Sequence, residues 1–355
     1  MGKSLWSNTL QRWLDRCRTS LSALRTVGMA RAVPTVPGAE VIHQPPVCGV
    51  VVLVLLVVAC FVQREARPAA AAEHLPPVEG ALQVLITTSE LVVGQNRFAF
   101  GLLQHHKLLD DASVAVRVYA VRDQQAQLMA ETQALYHKLE VVEQGNHVHI
   151  HPDGTQHVHS AATDVQGIYV APVTFERPGH WGLEIRAQQG DGPVEAARLS
   201  VNVLAVSRTP MLGAPAPHSR NLIASDVSDL SQIDSSEPPD PRLHQTRIAD
   251  AIAQGKPQVI VFATPKFCTS RVCGPVVDVV RTLFPTYGKR VVFIHQEIWQ
   301  AGVPQQFAPT VQEWNLQSEP WVFVVDAQGM IRAKFEGLTT RRELEAALRH
   351  MLGLE

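Results

Sequence analysis

Two groups of side chains in this 355-residue sequence have types and spacings suited to chemistry. The first is Cys268-Thr269-Ser270-Arg271-Val272-Cys273, a pair of thiols five positions apart. A thiolate attacks disulfides and peroxides, and a second thiol close by can displace the product of that attack. On an uninterrupted helix, residues five apart have Cα atoms about 8.7 Å apart, given a rise of about 1.5 Å and a radius of about 2.3 Å, beyond the roughly 7 Å reach of a disulfide. Bridging therefore requires Cys268 in a loop ahead of a helix, or local unwinding. In such a loop exposed amides and the helix dipole stabilise the Cys268 thiolate, and Lys266 and Arg271 add positive charge. Cys268 is then the expected nucleophile and Cys273 the resolving or buried partner, the alternative being a plain stabilising disulfide.

The second group is the run HVHIHPDGTQHVH from His147 to His159. Pro152-Asp153-Gly154 suits a three-residue hairpin loop with glycine in the left-handed position. That loop pairs His151 with Thr155, His149 with His157 and His147 with His159, and puts all five histidines on one face. Opposed Cβ atoms about 4.5–5.5 Å apart allow cross-strand imidazoles to converge on one Cu or Zn ion. The alternative is an exposed hairpin whose polar face happens to be histidine.

The elements that must carry these groups can be read from hydrophobic patterning. Short runs rich in Val, Ile, Phe and Tyr begin at Leu82, Arg97, Ser113, Gly167, His180 and Ala197, separated by Gly, Asp and Pro turns. They predict an antiparallel β-sandwich of immunoglobulin type. From residue 244 onward the pattern alternates: helix over 245–254, strand from Gln258, helix over 275–284, strand from Arg290, helix over 309–314, strands from Trp321 and Met330, and helix over 340–352. Between these regions, residues 207–243 are rich in Ser, Pro, Asp and Ala and predict an extended connection.

Residues 47–62 form an uncharged apolar run preceded by Lys3, Arg12, Arg16, Arg18, Arg25 and Arg31. This predicts a transmembrane helix with everything after Ala66 on the extracytoplasmic side of the cell membrane. Val57-Val58-Ala59-Cys60 also resembles the lipobox at which bacterial lipoproteins are acylated, which gives the same topology. Cys17 lies in the basic segment, while Cys48 and Cys60 lie in the apolar run. A net charge of −2 with 18% charged residues argues against nucleic acid as a partner and against wholesale disorder. The expected organisation is thus a cytoplasmic basic segment (1–46), an anchor (47–62), a stalk (63–79), a sandwich (80–206), a linker (207–243) and a C-terminal domain (244–355).

The order of elements from residue 244, with Cys268 after the strand VIVFAT and Pro320 before WVFVVD, resembles the thioredoxin fold, and most of all membrane-tethered TlpA-like proteins. The resemblance implies an α/β thioredoxin fold in which Pro320 flanks the cysteine pair. It implies thiol-disulfide exchange with a protein substrate, with no cofactor required. Two positions depart from that family: its C-x-x-C is C-x4-C here, and Phe267 stands where tryptophan is usual. The stretch GIYVAPVTFERPGHWGLEIRA resembles the closing strands of YtkA-like and FixH-like sandwich domains, some of them associated with copper handling. The C-T-x-x-x-C spacing resembles the bacterioferritin-comigratory peroxiredoxins and implies a thiol peroxidase, although Thr264 lies four rather than three residues before Cys268. His295, ending the strand RVVFIH, is expected at the cysteine edge as a base or as part of a Cys/Cys/His site resembling that of Sco-type copper chaperones. That resemblance implies a non-enzymatic alternative, a copper- or zinc-binding protein that delivers metal to a receiving protein.

Overall fold

The computed structural model describes residues 82–354 apart from 106, 123–124, 140–146, 151–155, 160–166, 269, 302 and 304. Eleven strands come first: β1 (Gln83–Ile86), β2 (Leu91–Val92), β3 (Gly94–Gln104), β4 (Lys107–Leu108), β5 (Ser113–Arg122), β6 (Gln125–Lys138), β7 (His147–Ile150), β8 (Gln156–His159), β9 (Gly167–Phe175), β10 (Gly179–Gln188) and β11 (Glu195–Leu204). In β5 the residues Val114, Val116, Val118 and Ala120 are buried while their neighbours are not, the period-two signature of a strand with one face on a core. That core gathers Phe98, Phe100, Tyr169, Phe175 and Trp181. Trp181 meets Phe175 edge-on at 5.2 Å and donates its indole N–H to the Arg177 carbonyl at 3.0 Å, so the ring is buried with its polar atom satisfied.

Strands β7 and β8 pair separately, and the other nine form one continuous sheet, in the order β1-β3-β9-β6-β5-β10-β11-β2 with β4 on β3. The cause is β6. Nine of its first ten residues pair with β5, Met129 being bulged out, and Leu135–Lys138 pair with β9, so one 14-residue strand belongs to both halves. Gly167 opposes Lys138 where the chain returns, and a Cβ there would lie 2.5 Å from the His137 carbonyl oxygen.

The C-terminal region contains β12 (Gln258–Ala263), β13 (Val292–Glu297), β14 (Trp321–Val325) and β15 (Ile331–Glu336) in the order β13-β12-β14-β15. Only β12 and β13 run parallel. The helices are α1 (Ile248–Ala253), α2 (Cys273–Tyr287), α3 (Pro309–Glu313) and α4 (Arg341–Met351). Thr340 caps α4 in a reciprocal box with Glu343, and Pro309 opens α3 where its missing N–H costs nothing.

The expected fold class is corrected by this arrangement. Among the described residues strand makes up 41% and helix 20%, and a four-stranded sheet stands where an α/β thioredoxin fold was expected. The alternating pattern misled because two of the four expected helices are single turns of six and five residues, too short to cover a sheet face. Gly255, at φ +63°, ends the first, and Asn315, at φ +50°, follows the second. The anchor expected over 47–62 lies outside the described residues. Among the described residues no helix is long and apolar enough to cross a membrane.

The connection 207–247 lies along the C-terminal sheet, with short 3-10 turns at Ala224–Asp226, Leu230–Gln232 and Pro241–His244. Pro215 bridges to Met330 beside β15, and the Trp314 indole donates to Ser219 Oγ at 3.0 Å. The nine-stranded and four-stranded sheets are joined by polar clamps. Arg97 Nε meets Glu343 at 2.7 Å and its Nη2 donates to the Leu338 carbonyl at 2.7 Å, while Lys334 donates to Ser207 and Thr209, each at 2.8 Å. Ala99, Leu139 and Ile168 of the first region pack into the same apolar cluster as α2 and α4.

Candidate functional site

The sheet edge at the end of β12 gathers most of the chemically capable side chains. After Ala263 the chain turns through Pro265–Phe267 and reaches Cys268, five residues ahead of α2, whose first residue is Cys273. This is the loop-before-helix placement expected for Cys268. Phe267 is half exposed, whereas Cys268 is 4% exposed and Cys273 fully buried.

The two cysteines are free thiols, which corrects the expected disulfide. They are nonetheless in contact. The Cys273 thiol donates to the Cys268 sulfur, Ser270 Oγ lies 3.1 Å from it, and the Cys273 amide adds a third donor. In that order with burial, which opposes them, these donors lower the Cys268 pKa from 9.0 to about 6. Cys273 moves the other way: burial and the proton it holds against Cys268 push its thiol well above the ordinary value. One proton is shared unequally by the pair, leaving Cys268 as the thiolate. Glu319 opposes both ionisations, and burial, followed by the neighbouring Glu297, raises its own pKa.

Pro320 is buried directly before β14, next to the Trp321–Phe262 pair, and the Glu319–Pro320 peptide is cis. His295 is fully buried on β13. Its Nε2 lies 3.0 Å from the Ala263 carbonyl oxygen, and its Nδ1 lies 3.3 Å from Asp234 Oδ1 but is not aligned for a hydrogen bond. The structure therefore groups His295 with Asp234 and His244 rather than with the cysteines. The donor atoms of these three residues all lie within 4.8 Å of one another, and the group could hold a metal ion.

Asp234 anchors that group. Its Oδ1 accepts the Ser236 amide at 2.8 Å, and its Oδ2 accepts the Asp240 amide at 3.0 Å and contacts His244 Nε2 at 3.1 Å. Burial opposes its charge, yet the His295 charge and the hydrogen bonds of His244 and Ser236 hold it below the usual carboxylate range. Burial lowers the His244 pKa. For His295 burial acts in the same direction, but the Asp234 carboxylate outweighs it and the pKa is raised. Asp234 and His244 escaped the sequence reading because Asp234 lies in the Ser/Pro-rich connection and His244 just beyond it, with no motif around either.

In the histidine run, β7 and β8 pair antiparallel, His147 opposite His159 and His149 opposite His157, with Ile150 opposite Gln156. His151 lies outside the described residues.

No family model matches the chain. No curated protein matches it either. Among solved structures it is similar to murine CRIg at 12% identity, over 35% of this chain and 99% of that one, with a TM-score of 0.19. A likeness at that TM-score carries no argument about fold or function.

Proposed function

We propose that the chain performs thiol-disulfide exchange with a protein substrate. The Cys268 thiolate attacks one sulfur of a substrate disulfide, forming a mixed disulfide and releasing the other substrate sulfur as a thiolate. Cys273 then loses its proton and attacks Cys268 Sγ, so that the second substrate sulfur leaves with the electron pair. The substrate gains two electrons and the cysteine pair loses two. The observation that carries this reading is the placement of Cys268 in the loop ahead of α2, with Ser270 Oγ 3.1 Å from its sulfur and Cys273 at the helix start, where the Cys268 pKa is lowered to about 6 and that of Cys273 is raised. No cofactor is needed.

Exchange with a disulfide substrate suits an oxidising compartment. The apolar run 47–62 and the basic residues before it support membrane attachment on that side. Half-exposed Phe267, next to Cys268, offers an apolar contact for a substrate chain. Incubation of the Cys273→Ser protein with oxidised glutathione tests the reading. One glutathionyl adduct on Cys268 is expected, and an unreactive Cys268 would refute it.

A second reading is favoured by the β7/β8 register, which opposes two histidine pairs. It makes the hairpin His147, His149, His151, His157 and His159 a Cu or Zn site that supplies a metal-receiving protein. Equilibrium dialysis of the full chain against each ion, with and without these five residues replaced by alanine, tests it. Uptake unchanged by the replacement removes this reading.

A further inference from the structure

The geometry points to a second metal site at Asp234, His244 and His295, one that takes a divalent cation of Zn(II) type and is independent of both the histidine hairpin and the thiol pair. Two donors bound to one tetrahedral zinc at about 2.0–2.1 Å must lie about 3.3 Å from each other. The Asp234 carboxylate presents His244 Nε2 at 3.1 Å and His295 Nδ1 at 3.3 Å. His244 Nε2 faces Oδ2 and His295 Nδ1 faces Oδ1, so each nitrogen stands at a donor spacing from its own oxygen, and the carboxylate holds one ion with both rings by chelating it or by a small turn.

The outer contacts match as well. A metal-bound imidazole donates its other ring N–H to a carbonyl or carboxylate, which fixes the tautomer and turns the free lone pair to the ion. His295 Nε2 lies 3.0 Å from the Ala263 carbonyl oxygen, while Nδ1, completely buried, makes no hydrogen bond and is turned toward Asp234. The neighbour of Nδ1 is the Asp234 carboxylate at 3.3 Å, a charge contact not aligned as a hydrogen bond, and a cation between the two would satisfy both. The Asp234 carboxylate is oriented by two backbone amides, Ser236 and Asp240. The His244 and His295 rings meet edge-on at 5.4 Å, which leaves neither stacked across the other.

Two imidazoles and one carboxylate suit zinc and its neighbours. They do not suit calcium or magnesium, which take oxygen sets, or copper(I), which prefers thiolate and thioether. Three protein ligands leave a fourth position for water. His295 sits on β13, His244 ends the 3-10 turn Pro241–His244, and Asp234 lies in the connection before it. A bound ion would therefore fasten that connection to the sheet edge that also carries the Cys268 loop, where the Lys266 amide donates to Ser235 Oγ at 3.3 Å.

The test uses the full chain with the five hairpin histidines changed to alanine and Cys268 and Cys273 to serine, stripped with chelator and titrated with Co(II) and Zn(II). One Co(II) per chain is expected, with visible d–d absorption, no thiolate charge-transfer band, and displacement by Zn(II). His244→Gln and Asp234→Asn, added singly, are each expected to weaken binding by at least about 10-fold. Circular dichroism and thermal unfolding of each variant without metal establish that it is folded. A Zn(II)-dependent rise in Tm of the parent, lost in either variant, reads the same site without spectroscopy. Absence of stoichiometric binding in the parent, or binding that survives both added substitutions, overturns the proposal.

Discussion

At pH 7 a thiol titrating near the ordinary 9.0 is about 1% ionised, whereas one lowered to about 6 is about 90% ionised. Cys268 should therefore carry roughly ninety times more thiolate than an ordinary cysteine at neutral pH, and its ionisation should change between about pH 5 and 7. The largest contribution is the hydrogen bond from Cys273. A hydrogen bond to a charged acceptor is worth about 1.5–3 kcal/mol, which corresponds to about one to two pKa units. Cys273→Ala should accordingly move the Cys268 inflection up by about that much, Cys273→Ser should retain most of the depression through its hydroxyl, and Ser270→Ala should give a smaller rise. Thiolate absorbance in the ultraviolet reads the ionisation directly and does not depend on reagent access to a 4%-exposed sulfur. Iodoacetamide labelling followed by peptide mass spectrometry assigns it to Cys268. An inflection near 9 in the wild-type chain, or one at 6 that Cys273→Ala leaves in place, would refute the reasoning.

Arg97→Ala removes the partner of Glu343, whose side chain is 10% exposed, and should cost about 3 kcal/mol in denaturant unfolding of the full chain. Burial opposes the Glu343 charge, but Arg97 outweighs it and holds the pKa below 4.5; the contribution is thus complete above pH 4.5 and is lost as pH falls through the lower folded value, a loss that an acid-unfolding profile of Arg97→Ala should no longer show. Gly167→Ala places a methyl 2.5 Å from the His137 carbonyl oxygen and 2.6 Å from the Tyr136 ring, neither free to yield, and should lower stability by about 1–3 kcal/mol in the same assay. Trp181→Ala empties the centre of the first core and should cost about 3–5 kcal/mol, seen as a lower unfolding midpoint.

The strands that alternate were legible in the sequence. The runs starting at Ser113 and Gly167 begin β5 and β9 at those very residues, because one face of each is buried and period two follows. β6 was not legible. QAQLMAETQALYHK is composed of residues that favour helices, and its first seven positions are exposed on both faces, so no period-two signal exists. Its conformation comes from pairing with β5 and β9, which is tertiary information. The placement of Cys268 ahead of a helix was one of two arrangements that helix geometry allowed for a bridged pair, local unwinding being the other, and the thiols are unbridged. The grouping of His295 with Asp234 and His244 did not, since it depends on a Ser/Pro-rich connection folding back along β13.

The central claim is that Cys268 and Cys273 act as attacking and resolving thiols. The most direct measurement is mass spectrometry of the full chain after oxidised glutathione, with the wild type and Cys273→Ser followed in parallel over time. The account predicts that Cys273→Ser accumulates one glutathionyl group on Cys268. It predicts that the wild type forms the same adduct only transiently, then releases reduced glutathione and loses the Cys268 and Cys273 thiols together. A wild type that retains the adduct, or a Cys268 that never acquires one, would contradict the account and leave the two thiols as packing groups in the core.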